Sequence, residues 1–223
     1  MIGAREPRSR RRPRRAVVAV LLALSLCGVC TAFAASLAVS AGTSTGWSQS
    51  CSHTSRTAAA SDDSYVNDGA TGTNFGNATV LKVGAPFVLL GIGSNSRSLV
   101  RFTLPSSVGL CPITLAKLRL FSTVNSALGR TLQVRMANAS WAEGTVTWSN
   151  QPAATGTAVT TTSAAGWVEW TVTDHVTSMY ASPNNGFIVR DNSESYVISL
   201  LQEQQYSSSE AAGDQPELVI TYG

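Results

Sequence analysis

The chain contains only two histidines, His53 and His175, and neither sits in a pattern that builds a catalytic base or a metal site. There is no H-E-x-x-H and no G-x-S-x-G, and Gly91-Ile92-Gly93-Ser94 reads as a turn because no strand-to-helix junction surrounds it. Carboxylates for a glycosidase pair are available in Glu143, Glu169, Asp174, Asp191, Glu194 and Glu210, but their spacing brings no two of them together. The residue types suit recognition better than turnover. Lys117, Arg119 and Arg135 offer cations for charge-assisted hydrogen bonds to carboxylates, and Trp167 offers a face for stacking on a sugar ring. Gln133 and Glu169 share the same strand phase as these groups, and together the six form the expected ligand-binding set, with a solvated strand face as the alternative. No cofactor is expected: Asp62, Asp63 and Asp68 read as ordinary turn acids, since their spacing is not that of an EF-hand loop, with a structural calcium ion held by their hard oxygen ligands as the alternative.

The elements that must position these side chains are strands. Short alternating or β-branched runs recur at 64–67, 79–83, 98–102, 115–121, 131–136, 167–172, 186–190, 196–201 and 217–222, separated by Gly, Pro, Asn and Ser clusters. Within them, Leu132, Val134 and Met136 alternate with Gln133 and Arg135, while Val168, Trp170 and Val172 alternate with Trp167, Glu169 and Thr171. Period two assigns the first set of each to the core and the second to the outside. The only helical stretch is 173–181, with Thr173 or Asp174 as the expected cap and Val176, Met179 and Tyr180 along one side. The pattern predicts an all-β fold, a jelly-roll β-sandwich with one short helix.

Ahead of the sandwich the composition changes twice. Residues 16–35 are uncharged and apolar behind an Arg block, the order of a secretory signal, and Ala34 or Ala41 would end the removed segment. The same stretch is long enough to serve as an uncleaved membrane anchor, and either reading exports the remainder. Residues 36–61, rich in Ser, Thr, Ala and Gly, read as a linker, leaving 62–223 as the folded domain. Of the 16 basic and 13 acidic residues, seven Arg and Glu6 lie before residue 35, so nine basic and twelve acidic residues remain and the exported part carries about −3. A cationic body for nucleic-acid binding is therefore excluded. Cys27 and Cys30 fall inside the apolar segment, while Cys51 and Cys111 are exported, where they pair as a disulfide or stay as two buried thiols.

Several stretches together resemble the DNRLRE-domain proteins, also classed as carbohydrate-binding module family ninety-six. The matching pieces are Asp63-Ser64-Tyr65-Val66-Asn67-Asp68-Gly69, Ser98-Leu99-Val100-Arg101-Phe102, Ala116-Lys117-Leu118-Arg119-Leu120 and the distinctive run from Ser140 through Trp141, Glu143 and Trp148 to Pro152. Ser208-Ser209-Glu210 ahead of Pro216-Glu217-Leu218 completes the series. The resemblance implies a jelly-roll sandwich in an extracellular setting that binds acidic polysaccharide, such as alginate, without catalysis. A structural or adhesive surface domain is one alternative. A small polysaccharide lyase is another, against which Arg135 stands where the Q-x-H signature of such lyases has histidine. Trp141 and Trp148 are expected to pack rather than touch ligand, and Arg101 with Glu210 forms a candidate buried charge pair.

Overall fold

A computed structural model describes residues 51, 53–84, 94–107, 110–124, 129–194 and 203–223. The expected signal or anchor at 1–35, most of the expected linker, the expected turn at 91–93 and the run at 196–201 lie outside them. The strands are β1 (Thr54–Asn67), β2 (Val80–Val83), β3 (Ser96–Phe102), β4 (Ile113–Ser122), β5 (Thr131–Ala137), β6 (Ala154–Thr162), β7 (Gly166–Thr171), β8 (Phe187–Asp191), β9 (Gln204–Ser207) and β10 (Glu217–Tyr222). The helix α1 (Thr173–Ala181) follows β7. Every strand pairing among the described residues is antiparallel.

Strand β1 belongs to both layers. Its first half, Thr54 to Ala59, pairs with β10, and its second half pairs with β3, with the register shifting between Ala60 and Asp62. A bulge of this kind bends a strand and lets it pass from one sheet to the other. The first sheet joins β1, β10, β4, β7, β9 and β2, and the second joins β1, β3, β8, β5 and β6. Ala116, Leu118, Leu120, Val168, Trp170, Leu218 and Ile220 of the first sheet and Val100, Phe102, Leu132, Val134 and Val189 of the second meet in one core. The Trp170 indole N–H donates to the Leu132 carbonyl at 3.4 Å, tying the layers together.

A second, smaller core lies on the outer side of the second sheet. Leu99 and Ile188 alternate with the inward Val100 and Val189, so a one-face strand pattern would place them in water. The loop 138–153 covers them instead, bringing Trp141 and Val146 against Val66, Leu99, Ala137 and Ile188, with Trp148 packed alongside. The expectation that the two tryptophans pack is met. The Trp141 N–H donates to the Asn185 carbonyl at 2.8 Å. Gly186 beside it has φ +78°, and an added Cβ would lie 2.5 Å from the Val100 carbonyl oxygen, so only glycine fits.

Three expectations need correction. The linker does not run to Ser61, because residues from Thr54 onward are strand paired with β10. Their Ser, Thr and Ala composition hid them, since such an edge buries little. Strands β6 and β9 carried no clear alternation and were not expected. The helix is capped by neither Thr173 nor Asp174: it starts after Val172 with no side-chain cap, and Thr173 Oγ1 accepts the Ala116 N–H instead. Val176 and Met179 are buried, while Tyr180 is 37% exposed and its hydroxyl reaches the Tyr222 hydroxyl and the Pro105 carbonyl. Cys51 and Cys111 form the disulfide, with Cα atoms 5.5 Å apart.

Candidate functional site

The six sequence-predicted ligand residues keep their outward phase but divide between opposite faces of the sandwich. Lys117, Arg119, Trp167 and Glu169 stand on the outside of the first sheet, brought together by pairing Lys117 with Thr171 and Arg119 with Glu169 across β4 and β7. Gln133 and Arg135 stand on the outside of the second sheet, since their neighbours Leu132 and Val134 point into the shared core.

On the first face the charges cancel. Glu169 accepts from Lys117 Nζ at 2.7 Å and from Arg119 Nε at 2.9 Å, and Glu217 of β10 accepts from Arg119 Nη1 at 2.5 Å. Two cations thus meet two carboxylates. Hydrogen bonding from Lys117, opposed by partial burial and aided by the Lys117 and Arg119 charges, holds the Glu169 carboxyl below its ordinary range. The Arg119 guanidinium stacks 4.4 Å from the Trp167 ring centre, and Phe121 meets the ring edge-on at 5.4 Å. One face of Trp167 is therefore already covered. The indole also lines a cleft of about 440 Å³ with Thr57, Ala59, Gln215 and Glu217.

On the second face one row of cations, Arg97, Arg190 and Arg135, outnumbers its single carboxylate, Glu194. Arg97 of β3 and Arg190 of β8 share Glu194, which accepts from Arg97 Nη2 at 2.7 Å and lies 3.7 Å from Arg190 Nη1. Arg190 Nη2 and Arg135 Nε both donate to one carboxamide oxygen, Gln133 Oε1, at 3.4 and 3.1 Å. Gln133 is oriented in turn by its amide donating to Asn192 Oδ1 at 3.1 Å. Arg135 donates further to the Gly156 carbonyl. The result is a line of three guanidinium groups linked by a single carboxylate and a single carboxamide, with Arg190 Nε buried and unpartnered among the described residues. The Arg97 guanidinium lies over the Trp148 ring, 4.4 Å from its centre.

Arg97 and Arg190 were not among the expected ligand residues. A signal was present, since Arg97 is in phase with Leu99, and Arg190 with Ile188. The apolar Leu99 and Ile188 disguised that phase as inward. Arg101 pairs with Asp62 at 2.7 Å, not with Glu210, and stacks on Trp141. Asp62, Asp63 and Asp68, the alternative calcium group, do not converge. Asp62 is engaged by Arg101, and Asp68 accepts the Asn95 N–H at 2.7 Å, while Asp63 faces Glu143 and Glu210.

His175 lines a cavity of about 440 Å³ with Met136, Gly156 and Asp174. His175 is buried, its Nε2 bonded to the Thr157 carbonyl at 2.9 Å, and burial lowers its pKa so that the neutral ring is favoured. No helix among the described residues is long and apolar enough to cross a membrane. No curated protein matches the chain. A family model matches residues 54–222, starting at the first residue of β1 and ending at the last of β10, and by that match the chain belongs to carbohydrate-binding module family 96.

Proposed function

We propose that the protein is an exported, non-catalytic module that binds an acidic polysaccharide through Arg97, Arg190 and Arg135 on the outer face of the second sheet, with the buried Gln133 orienting two of them. The observation that carries this reading is the line of three guanidinium groups served by one carboxylate. A planar fork matches a carboxylate in a bidentate manner, and the local excess of positive charge favours a polyuronate over a neutral glycan. It does so on a domain whose net charge is negative, which confines the attraction to that face. Burial of His175 supports a binding role over a lyase.

Calorimetric titration of the protein with alginate, pectin and a neutral glucan tests the reading. Arg135→Ala and Arg190→Ala are expected to weaken polyuronate binding about tenfold or more, taking about 1.5 to 3 kcal/mol for a charge-assisted hydrogen bond. Lys117→Ala, on the neutralised face, is expected to leave it unchanged. Equal affinity in both arginine variants would reject the site. Absence of binding to every glycan would favour a structural or adhesive surface domain.

A second reading is favoured by Trp167, which lines the cleft on the charge-balanced face. There a neutral sugar would stack without competing for an ion pair. A preference for the neutral glucan, lost in Trp167→Ala, would identify that face.

A further inference from the structure

Three carboxylates from distant parts of the chain converge where β1 leaves the bulge. Asp63 lies on β1, Glu143 in the loop 138–153, and Glu210 between β9 and β10. One oxygen from each lies within 4.8 Å of the others. Asp63 is wholly buried. Its Oδ2 accepts the Ser209 N–H at 2.7 Å, while its Oδ1 is buried with no hydrogen-bond partner among the described residues. A buried carboxylate oxygen left in that state costs free energy unless something positive meets it.

The surroundings hold the three acids in place without neutralising them. The Asp63 N–H donates to Glu143 Oε1 at 2.8 Å, and Asn74 Nδ2 donates to the Glu143 carbonyl at 2.6 Å. A Cβ on Gly76 would collide with the Glu143 carbonyl, so that loop is seated against the acid. Ser209 Oγ donates to Glu210 Oε1 at 2.9 Å. The nearby Arg101 is committed to Asp62. Burial pushes the Asp63 carboxyl up to about 7, with the hydrogen bonds from Ser209 opposing the rise and the charges of Glu210 and Glu143 adding to it.

We propose that Asp63, Glu143 and Glu210 bind a divalent cation, calcium, which joins β1, the 138–153 loop and the β9–β10 connection. An all-oxygen, all-carboxylate donor set selects a hard cation. Calcium–oxygen distances of about 2.3 to 2.6 Å allow two ligands to lie as far as about 5 Å apart, which accommodates the observed spacing. The ligands come from three separate segments and Glu210 is exposed, so the site opens to water. Calcium, with its variable geometry and readiness to take waters and carbonyls, suits this better than magnesium, which demands a near-ideal octahedron.

The test uses the full-length protein, stripped with chelator and then titrated with calcium chloride at neutral pH while thermal unfolding and bound metal are measured. One equivalent of calcium per chain is expected, with the midpoint rising by about 5 to 10 °C at a hundredfold excess over the dissociation constant. Asp63→Asn is expected to abolish the response. Because Asp63 is buried, Glu210→Gln at the exposed rim serves as the second variant, and it should weaken calcium binding about tenfold or more while the stripped protein unfolds as the wild type does. Retention of no calcium, with no shift in midpoint, would overturn the proposal. So would an undiminished response in Glu210→Gln. A midpoint that rises on acidification of the stripped protein, with calcium adding nothing, would also overturn it and assign a proton to Asp63 in place of the metal.

Discussion

Trp167 and Trp170 are three residues apart and face opposite ways, which makes them a direct comparison of outside with inside. Trp170 is 1% exposed and spans the two layers, whereas Trp167 lies under Arg119 at the surface. Trp170→Ala should cost about 3 to 5 kcal/mol of stability, and Trp167→Ala much less, as read by chemical denaturation. Glu169 carries a pH prediction. Its carboxyl is held below the ordinary value of 4.5, so the unfolded chain takes up the proton first as pH falls. The contribution is therefore fully present above about pH 4.5 and is lost as pH drops through the lowered folded value. Glu169→Gln should flatten that part of the stability profile, which denaturation at a series of acid pH values would show. Phase along β4, β5 and β7 was legible because each has one inward and one outward face. Which outward residues share a face was not, because alternation says nothing about which sheet a strand joins.

At the scale of elements, the same limit explains what was missed. The run from Ser140 to Pro152 was recognisable as a motif, but its role as a lid on Leu99 and Ile188 depends on contacts between segments far apart in sequence. Asp63, Glu143 and Glu210 were likewise each visible in a separate stretch, and only the fold brings them within reach of one another. Strand β6 (ATGTAVTTT) escaped notice because it has few apolar residues to alternate; pairing with β5 holds it in place. The disulfide closes a separation of 60 residues between the approach to β1 and the approach to β4. In the chain-entropy account it contributes on the order of 4 kcal/mol. Reduction, or Cys51→Ser with Cys111→Ser, should lower the denaturation midpoint accordingly while leaving the strand signature in circular dichroism.

For the whole molecule, the separation of a neutral face from a guanidinium-rich one makes binding sensitive to salt in a way that identifies the face. Polyuronate affinity should fall as ionic strength rises, because charges more than about 8 Å apart are screened at physiological salt. Neutral glucan affinity, if carried by Trp167, should barely change. Titrations at low and high salt separate the two. The ends of the folded domain also lie side by side, with Thr54 opposite Tyr222 in the β1–β10 ladder. Tension applied between the two ends would peel that ladder apart one pair at a time, the geometry in which a sheet resists least. Cys51 precedes β1, and its bond to Cys111 routes a pull on the preceding chain toward the start of β4, in the middle of the first sheet. The disulfide thus divides between β1 and β4 a load from the preceding chain that β1 would otherwise carry alone.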